Sequence, residues 1–404
     1  MSASSARLAP LAAIFAMNGA VYGSLLPRYP QLADQAGASV GDFGVALAGI
    51  GVGGIAGALI ATRTIRLLGG PVRALLVVGT AFLAAAVAVA AAPTLRTLVL
   101  AFVALGLFDG FVDTAMNQAG TAMRTRHGTS VMGRLHASLA AATVAATALG
   151  AFVAASVPVL PHICVVAALL LVVLLVALRT LRAEPPTEDV NANADEPRHP
   201  RPAFSPADGR TRKRSLWWAV LIIAGLAAVL VEIPAQEWSA LLLSTELSAG
   251  PVLAGLGPLF ATAGVLIGRL GLDHAVNAFG WLPISRWAGV TTAAGILAGL
   301  SLSAATDNAA TDNAVPLLIG LGISAVGAGV AVPLLFDRSS HLAARVGLPA
   351  ESGTGLISGV FRIGVLASPL VIGGVAEIAG LFVALSVVAI AGLMFLALAK
   401  PLSE

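Results

Sequence analysis

The chain has 404 residues, of which 58% are hydrophobic and only 11% charged, and its mean hydropathy is +0.93. An ordinary soluble domain carries about 25% charged residues, and so much apolar surface cannot face water; this excludes a soluble enzyme, a disordered chain and a nucleic-acid-binding domain. The formal net charge is only +3 despite a pI near 9.6, and the single Cys164 excludes an internal disulfide and a cysteine-based metal site.

In lipid the backbone must satisfy its own polar groups, so only helix bundles and closed barrels span a membrane. Barrel strands alternate over ~10 residues and carry aromatic girdles. Long unbroken apolar runs with 5% aromatics predict helices instead, each needing ~20 mostly apolar residues. The first, 8–26, carries Asn18 and Tyr22 one turn apart. The second, 40–62, is rich in glycine, which lets helices approach closely. The third is 74–92, and the fourth, 95–119, holds Asp109, Asp113 and Asn117 at i, i+4 and i+8, on one stripe. The fifth, 133–156, opens with Arg134 and His136, and the sixth is 160–180. A polar stretch rich in Pro, Asp, Asn and Arg follows at 181–215 and reads as a disordered linker. The seventh, 216–242, contains Glu232, Pro234, Gln236 and Glu237, and Pro234 should kink it. The eighth, ninth and tenth are 250–272, 287–305 and 315–336. The eleventh, 352–374, places Arg362 near its centre, and the twelfth is 379–399. The expectation is an all-α polytopic membrane protein with a six-helix half at 1–180, a cytoplasmic linker at 181–215 and a second six-helix half at 216–404.

Lys and Arg concentrate in cytoplasmic loops. Over these spans, 20 of the 23 basic residues fall on the side of both termini, Arg28 and Arg96 on the other side, and Arg362 within a span. Both termini are therefore predicted to be cytoplasmic. The basic pI records topology, not a polyanionic partner. The two halves also share a trace of repetition: Gly57 and Gly69 bracket the end of the second span at the separation at which Gly268 and Gly280 bracket the end of the eighth.

A charge at a helix centre costs roughly 2.5–3.5 kcal/mol on insertion scales. Asp109, Asp113, Glu232 and Arg362 should therefore face one another or a wet cavity. A guanidinium cannot discharge and needs an anion; Asp109 lies at similar depth, so the two are expected to meet across the halves or to share a solute. Glu232 is a candidate proton carrier and His136 a candidate relay, whereas Glu237 reads as a solvated rim residue. The predicted pathway is Asn18, Tyr22, Asp109, Asp113, Asn117, His136, Glu232, Gln236 and Arg362.

Twelve spans with a central linker resemble the major facilitator superfamily. Within it, LPRYPQL at 26–32, GLFDGFVDTAMNQAG at 106–120, VMGRLHA at 131–137, EWSALLL at 237–243 and GRLGLDHAVNAFG at 268–280 are similar to bacterial YbjJ-type permeases, related to fucose-permease-like carriers. The resemblance implies that spans one, four, seven and ten line a central cavity and that the halves rock against each other. It implies a gating set in the loops at Arg66, Gly69, Arg134, Gly268, Arg269 and Asp273. Arg66 stands where the family signature has an acid, and the fifth span lacks the antiporter's Gly-Pro, keeping only Gly150.

The function expected is a secondary active transporter of a small organic solute, driven by protons and running towards export, with uptake of a sugar-like solute as the alternative. No Walker-type lysine loop is present, so ATP does not drive it directly. An intramembrane enzyme would need a nucleophile–base pair or metal cluster, and the six histidines sit in no ligand spacing. A transport-dead sensor in the same fold is a third class. The partners expected are the solute, protons and lipid, with no nucleic acid and no cofactor, and the carrier is expected to work as a monomer.

Overall fold

The apolar runs fold as helices throughout the computed structural model, which describes residues 3–127, 131–183, 210–305, 310–345 and 350–403. All twelve spans are present among them: Leu8–Ala36, Val40–Leu67, Pro71–Ala90, Leu95–Met123, Met132–Val153, Val159–Arg182, Trp217–Thr245, Pro251–Phe279, Trp281–Ala304, Asn313–Ala344, Ser352–Ala379 and Leu381–Leu402. Of the expected linker, residues 184–209 lie outside the described residues.

The span ends differ from expectation for local reasons. The first does not stop at 26: a 3-10 turn at Leu26–Arg28 leads into a further helix, Tyr29–Ala36. Pro27 and Pro30 lack the backbone N–H that would carry the α ladder through, so the chain tightens there and resumes. Gly37, at φ 61°, closes this helix in the left-handed conformation. Ser39 then caps the second span, its hydroxyl accepting from the Asp42 N–H while the Asp42 carboxylate accepts from the Ser39 N–H. The eighth and tenth spans run on to Phe279 and Ala344, because helical backbone bonds do not need apolar side chains once nucleated.

The packing of the first six spans recurs in the last six. Span two lies on four, one on five and six, and three on four and six; eight lies on ten, seven on eleven and twelve, and nine on ten and twelve. The two halves meet where span two packs on eleven and span five on eight, a pairing that also maps onto itself under a shift of six. The glycine repeat has a structural counterpart. A Cβ on Gly57 would fall 2.2 Å from the Leu107 carbonyl oxygen of span four, and one on Gly268 2.2 Å from the Val326 carbonyl oxygen of span ten. Gly69 and Gly280 turn the chain at φ 80° and 85°, a region that suits glycine. Each pair thus combines a close helix crossing with a tight turn, once per half.

One end of the bundle carries the turns after spans two and eight, and the starts of spans five and eleven; it is the end rich in Arg, called here the basic end. The opposite end carries the turns after spans one, three, seven and eleven.

Candidate functional site

Between the halves lies a cavity of about 750 Å³. It runs from Tyr29 and Glu237, towards the opposite end, to His136 and Phe336 near the basic end, where His136 is exposed. Spans one, four, seven and ten contribute to its wall, as the resemblance implied. So do spans two, five, eight and eleven, through Gly54, Thr143, Arg269 and Arg362.

The fourth span supplies the acidic stripe. Asn18 Nδ2 donates to Asp109 Oδ1 at 2.7 Å, and Tyr22 lines the same cavity. One turn further towards the basic end, Asn117 Nδ2 donates to Asp113 Oδ1 at 2.8 Å and to the Asp113 carbonyl at 2.9 Å, holding that carboxylate in place. From the other half, Arg362 Nη2 lies 3.7 Å from Asp113 Oδ2, and Nη1 lies 3.5 Å from the Gly54 carbonyl oxygen. Arg362 therefore meets Asp113, not Asp109 as the depth argument expected. The stripe itself made either partner possible, and the rise of about 6 Å between the two acids decides.

The seventh span supplies a second pair. Arg269 Nη2 donates to Glu232 Oε1 at 2.6 Å, and Gln236 donates to the Glu232 carbonyl at 3.3 Å. The Glu232 side chain is 7% exposed and that of Arg269 36%. Glu232, the candidate proton carrier, is an ion-paired carboxylate whose Oε2 has no partner. Arg269, expected in a gating loop, sits within the eighth helix and faces the cavity; Gly268 is buried in the crossing with span ten, and Asp273 is exposed further along the same helix. The signature residues fall on helix because span eight extends past the apolar run. Arg66, Gly69 and Arg134 are exposed at the basic end, outside the cavity wall.

Glu237, expected at the solvated rim, lines the cavity instead, with Oε2 buried and unpartnered. The reason is the unexpected thickness of the opposite end. Trp238 is fully buried, with its ring 6.3 Å from Phe43 at 89°; Tyr29, Phe43 and Phe102 complete an edge-to-face cluster with centroids 5.4–6.3 Å apart. Such pairs each contribute about 0.5–1.5 kcal/mol beyond their buried area. The halves close tightly around this plug. A Cβ on Gly44 would lie 2.6 Å from the Pro369 carbonyl oxygen, and one on Gly255 would lie 2.6 Å from the Ala151 Cβ. Glu377 Oε2 accepts the Gly41 N–H at 2.8 Å across the halves.

Arg28, counted as a loop cation, is fully buried at the break in the first span and donates to the Val157 carbonyl. Its flanking prolines and Tyr29 could have signalled a continuing helical turn. All nine predicted pathway residues line one cavity. The contribution of Arg269 to the site was missed because its partner lies on another helix. His136 packs edge-on against Phe15, with centroids 5.2 Å apart.

The family model described as Major Facilitator Superfamily matches residues 11–348. An uncharacterized MFS-type transporter of Yersinia pestis is 26% identical over 300 residues, spanning 74% of this chain and 70% of its own. The uncharacterized transporter y4wD of Sinorhizobium fredii is 28% identical over 388 residues, spanning 93% of this chain and 95% of its own. Among solved structures, the nucleoside transporter NupG superposes with a TM-score of 0.67 at 11% identity over 98% of both chains. A D-xylose–proton symporter also gives 0.67, at 15% identity over 99% of this chain and 97% of its own. At these identities the structural likeness concerns the fold alone.

Proposed function

This chain belongs to the major facilitator superfamily, a family of multi-pass membrane transporters of small solutes, and on that premise we propose that it is a proton-coupled secondary carrier of a polar organic solute that works in the export direction by alternating access. The halves 1–180 and 216–404, joined by 181–215, rock about the cavity. The carrier is a monomer in the cytoplasmic membrane, with both termini and the basic end inside, as the skew of the basic residues along the sequence supports. It is not an enzyme.

The observation that carries this reading is the distribution of acids in one solute-sized cavity. Asp113 and Glu232 have arginine partners, while Asp109 and Glu237 have none among the described residues. A carboxylate away from bulk water and without a cation can shed its charge only by taking a proton or a cationic group of the solute. Proton and solute then compete at the same place, and such competition couples solute exit to proton entry. The packed opposite end corresponds to a state open to the cytoplasm.

The test uses the full chain in proteoliposomes with a panel of radiolabelled polar metabolites and an imposed pH gradient. Solute should move against its own gradient towards the acidic compartment, and Asp109→Asn should lose this pH-driven component. Flux that an uncoupler leaves unchanged would sink the proton claim, and binding without flux would mark a sensor. Uptake by symport is the second reading, favoured by the amide and hydroxyl groups of Asn18, Tyr22 and Gln236 in the wall, which suit a hydroxyl-rich solute. In that case a pH gradient drives accumulation in the alkaline compartment.

A further inference from the structure

The two arginines of the cavity differ in how closely they meet an acid, although the Arg269 Nε is itself buried without a partner. Arg269 meets Glu232 at 2.6 Å, at the short end of charge-assisted contacts. Arg362 has five N–H donors to place, and its two contacts, at 3.7 Å to Asp113 and 3.5 Å to Gly54, both exceed the ~2.7–2.9 Å of a charge-assisted hydrogen bond. Its guanidinium is held near an acid but not consumed by it.

The acids differ in the opposite sense. Asn18, only 6% exposed, fixes Oδ1 of Asp109 with a neutral donor. No basic side chain among the described residues pairs with Asp109. Beyond it, Glu237 leaves its buried Oε2 unpartnered. An under-bonded cation and an uncompensated acidic floor therefore face the same cavity. Asp113, beside which Arg362 lies, is one helical turn from Asp109, ~6 Å along the fourth span.

We propose that the solute is a small zwitterion, with its ammonium or guanidinium group on Asp109 and its carboxylate or phosphate on Arg362. This rests on the carrier reading above and narrows it. A neutral polyol would leave both charged groups with weak partners. A simple organic cation would leave Arg362 under-bonded, and a simple anion would face the acids at the floor. A solute with both charges about 6 Å apart satisfies both ends at once, and its ammonium takes the place of the proton on Asp109.

The experiment measures binding to the purified full-length chain in detergent, by calorimetry. The probes are the ω-amino acids β-alanine, γ-aminobutyrate and δ-aminovalerate, with aminoethylphosphonate as the phosphate-type zwitterion. Butylamine and butyrate serve as single-charge controls and erythritol as the neutral control. At least one zwitterion should bind about tenfold or more tightly than both single-charge controls, since each charged contact contributes at that level. Asp109→Asn should erase the advantage over butyrate, and Arg362→Gln the advantage over butylamine. Arg362→Lys, which keeps the charge, should retain part of it. Equal binding of zwitterion and controls, no zwitterion binding, or zwitterion binding unaltered in both variants would each overturn the proposal. The wild-type comparison decides even if a variant does not fold. The two readings fail separately. Zwitterion binding without flux in proteoliposomes sinks the carrier and leaves this assignment. Proton-coupled flux of a neutral or singly charged solute does the reverse.

Discussion

Arg269 and Glu232 form the tightest charge pair in the cavity wall, and their burial is unequal: the acid is nearly enclosed and the base about one-third open. Removing one partner of such a pair leaves the other charge stranded, which costs about 3–5 kcal/mol when both are buried. The exposure of Arg269 lowers that, so Arg269→Ala should destabilise by about 3 kcal/mol at most, read as a fall in the Tm of the purified protein. Adding Glu232→Gln should recover much of the loss, because the stranded charge is gone. No recovery in the double variant would mean that the arginine contributes by packing. Asp113 and Arg362 make a looser pair held across the halves. Exchanging the two charges, with Asp113→Arg and Arg362→Asp together, should restore expression lost in either single variant, whereas an exchange of Asp109 with Arg362 should not.

At the scale of elements, the helix crossings rest on glycines with no room for a side chain. Gly57 and Gly268 abut carbonyl oxygens of the neighbouring spans, while Gly271, one turn beyond Gly268, faces open space. Gly57→Val and Gly268→Val should each destabilise by about 1–3 kcal/mol, the range for overpacking. Gly271→Ala should be neutral or stabilising by up to ~1 kcal/mol, since alanine is the better helix former. Thermal denaturation of the three variants side by side checks the contrast. The first span shows a second device. Pro27 and Pro30 break its ladder where Arg28 turns inward to the Val157 carbonyl, so a residue that charge counting places at a surface becomes part of the closed end.

At the scale of the whole molecule, the bundle is sealed at one end and reaches towards the other. Trp238, Phe43 and the Gly44 crossing form the seal. With the lone Cys164 replaced by serine, a cysteine at His136 should react with a membrane-impermeant thiol reagent supplied at the cytoplasmic face. A cysteine at Tyr29 should resist the reagent supplied outside. Adding Gly44→Val, whose side chain cannot fit against Pro369, should disfavour the seal and raise the outside reactivity of that Tyr29→Cys site. A tag on either terminus should become accessible only after the cells are permeabilised. External labelling of an unpermeabilised terminus would reverse the proposed orientation.

How much of this was legible from the amino-acid order depends on whether a property is local or relational. Twelve spans, the skewed arginines, the glycine repeat and the few charges that must avoid lipid are properties of single segments. Hydropathy, insertion cost and turn geometry act along the chain, so these could be read from it. The set of cavity-lining polar residues was reachable for the same reason, because each is polar within an apolar run. Their partners were not. Asp109 and Asp113 lie on one stripe, and only the vertical offset and rotation of the eleventh span put Arg362 beside the second. Glu237 became part of the cavity because the aromatic plug lies beyond it, and Arg269 became a wall residue because the eighth helix outlasts its apolar run. Relative depth and rotation of helices arise from side-chain packing between segments distant in the chain. That packing is a property of the tertiary structure alone, and it decided which charges meet.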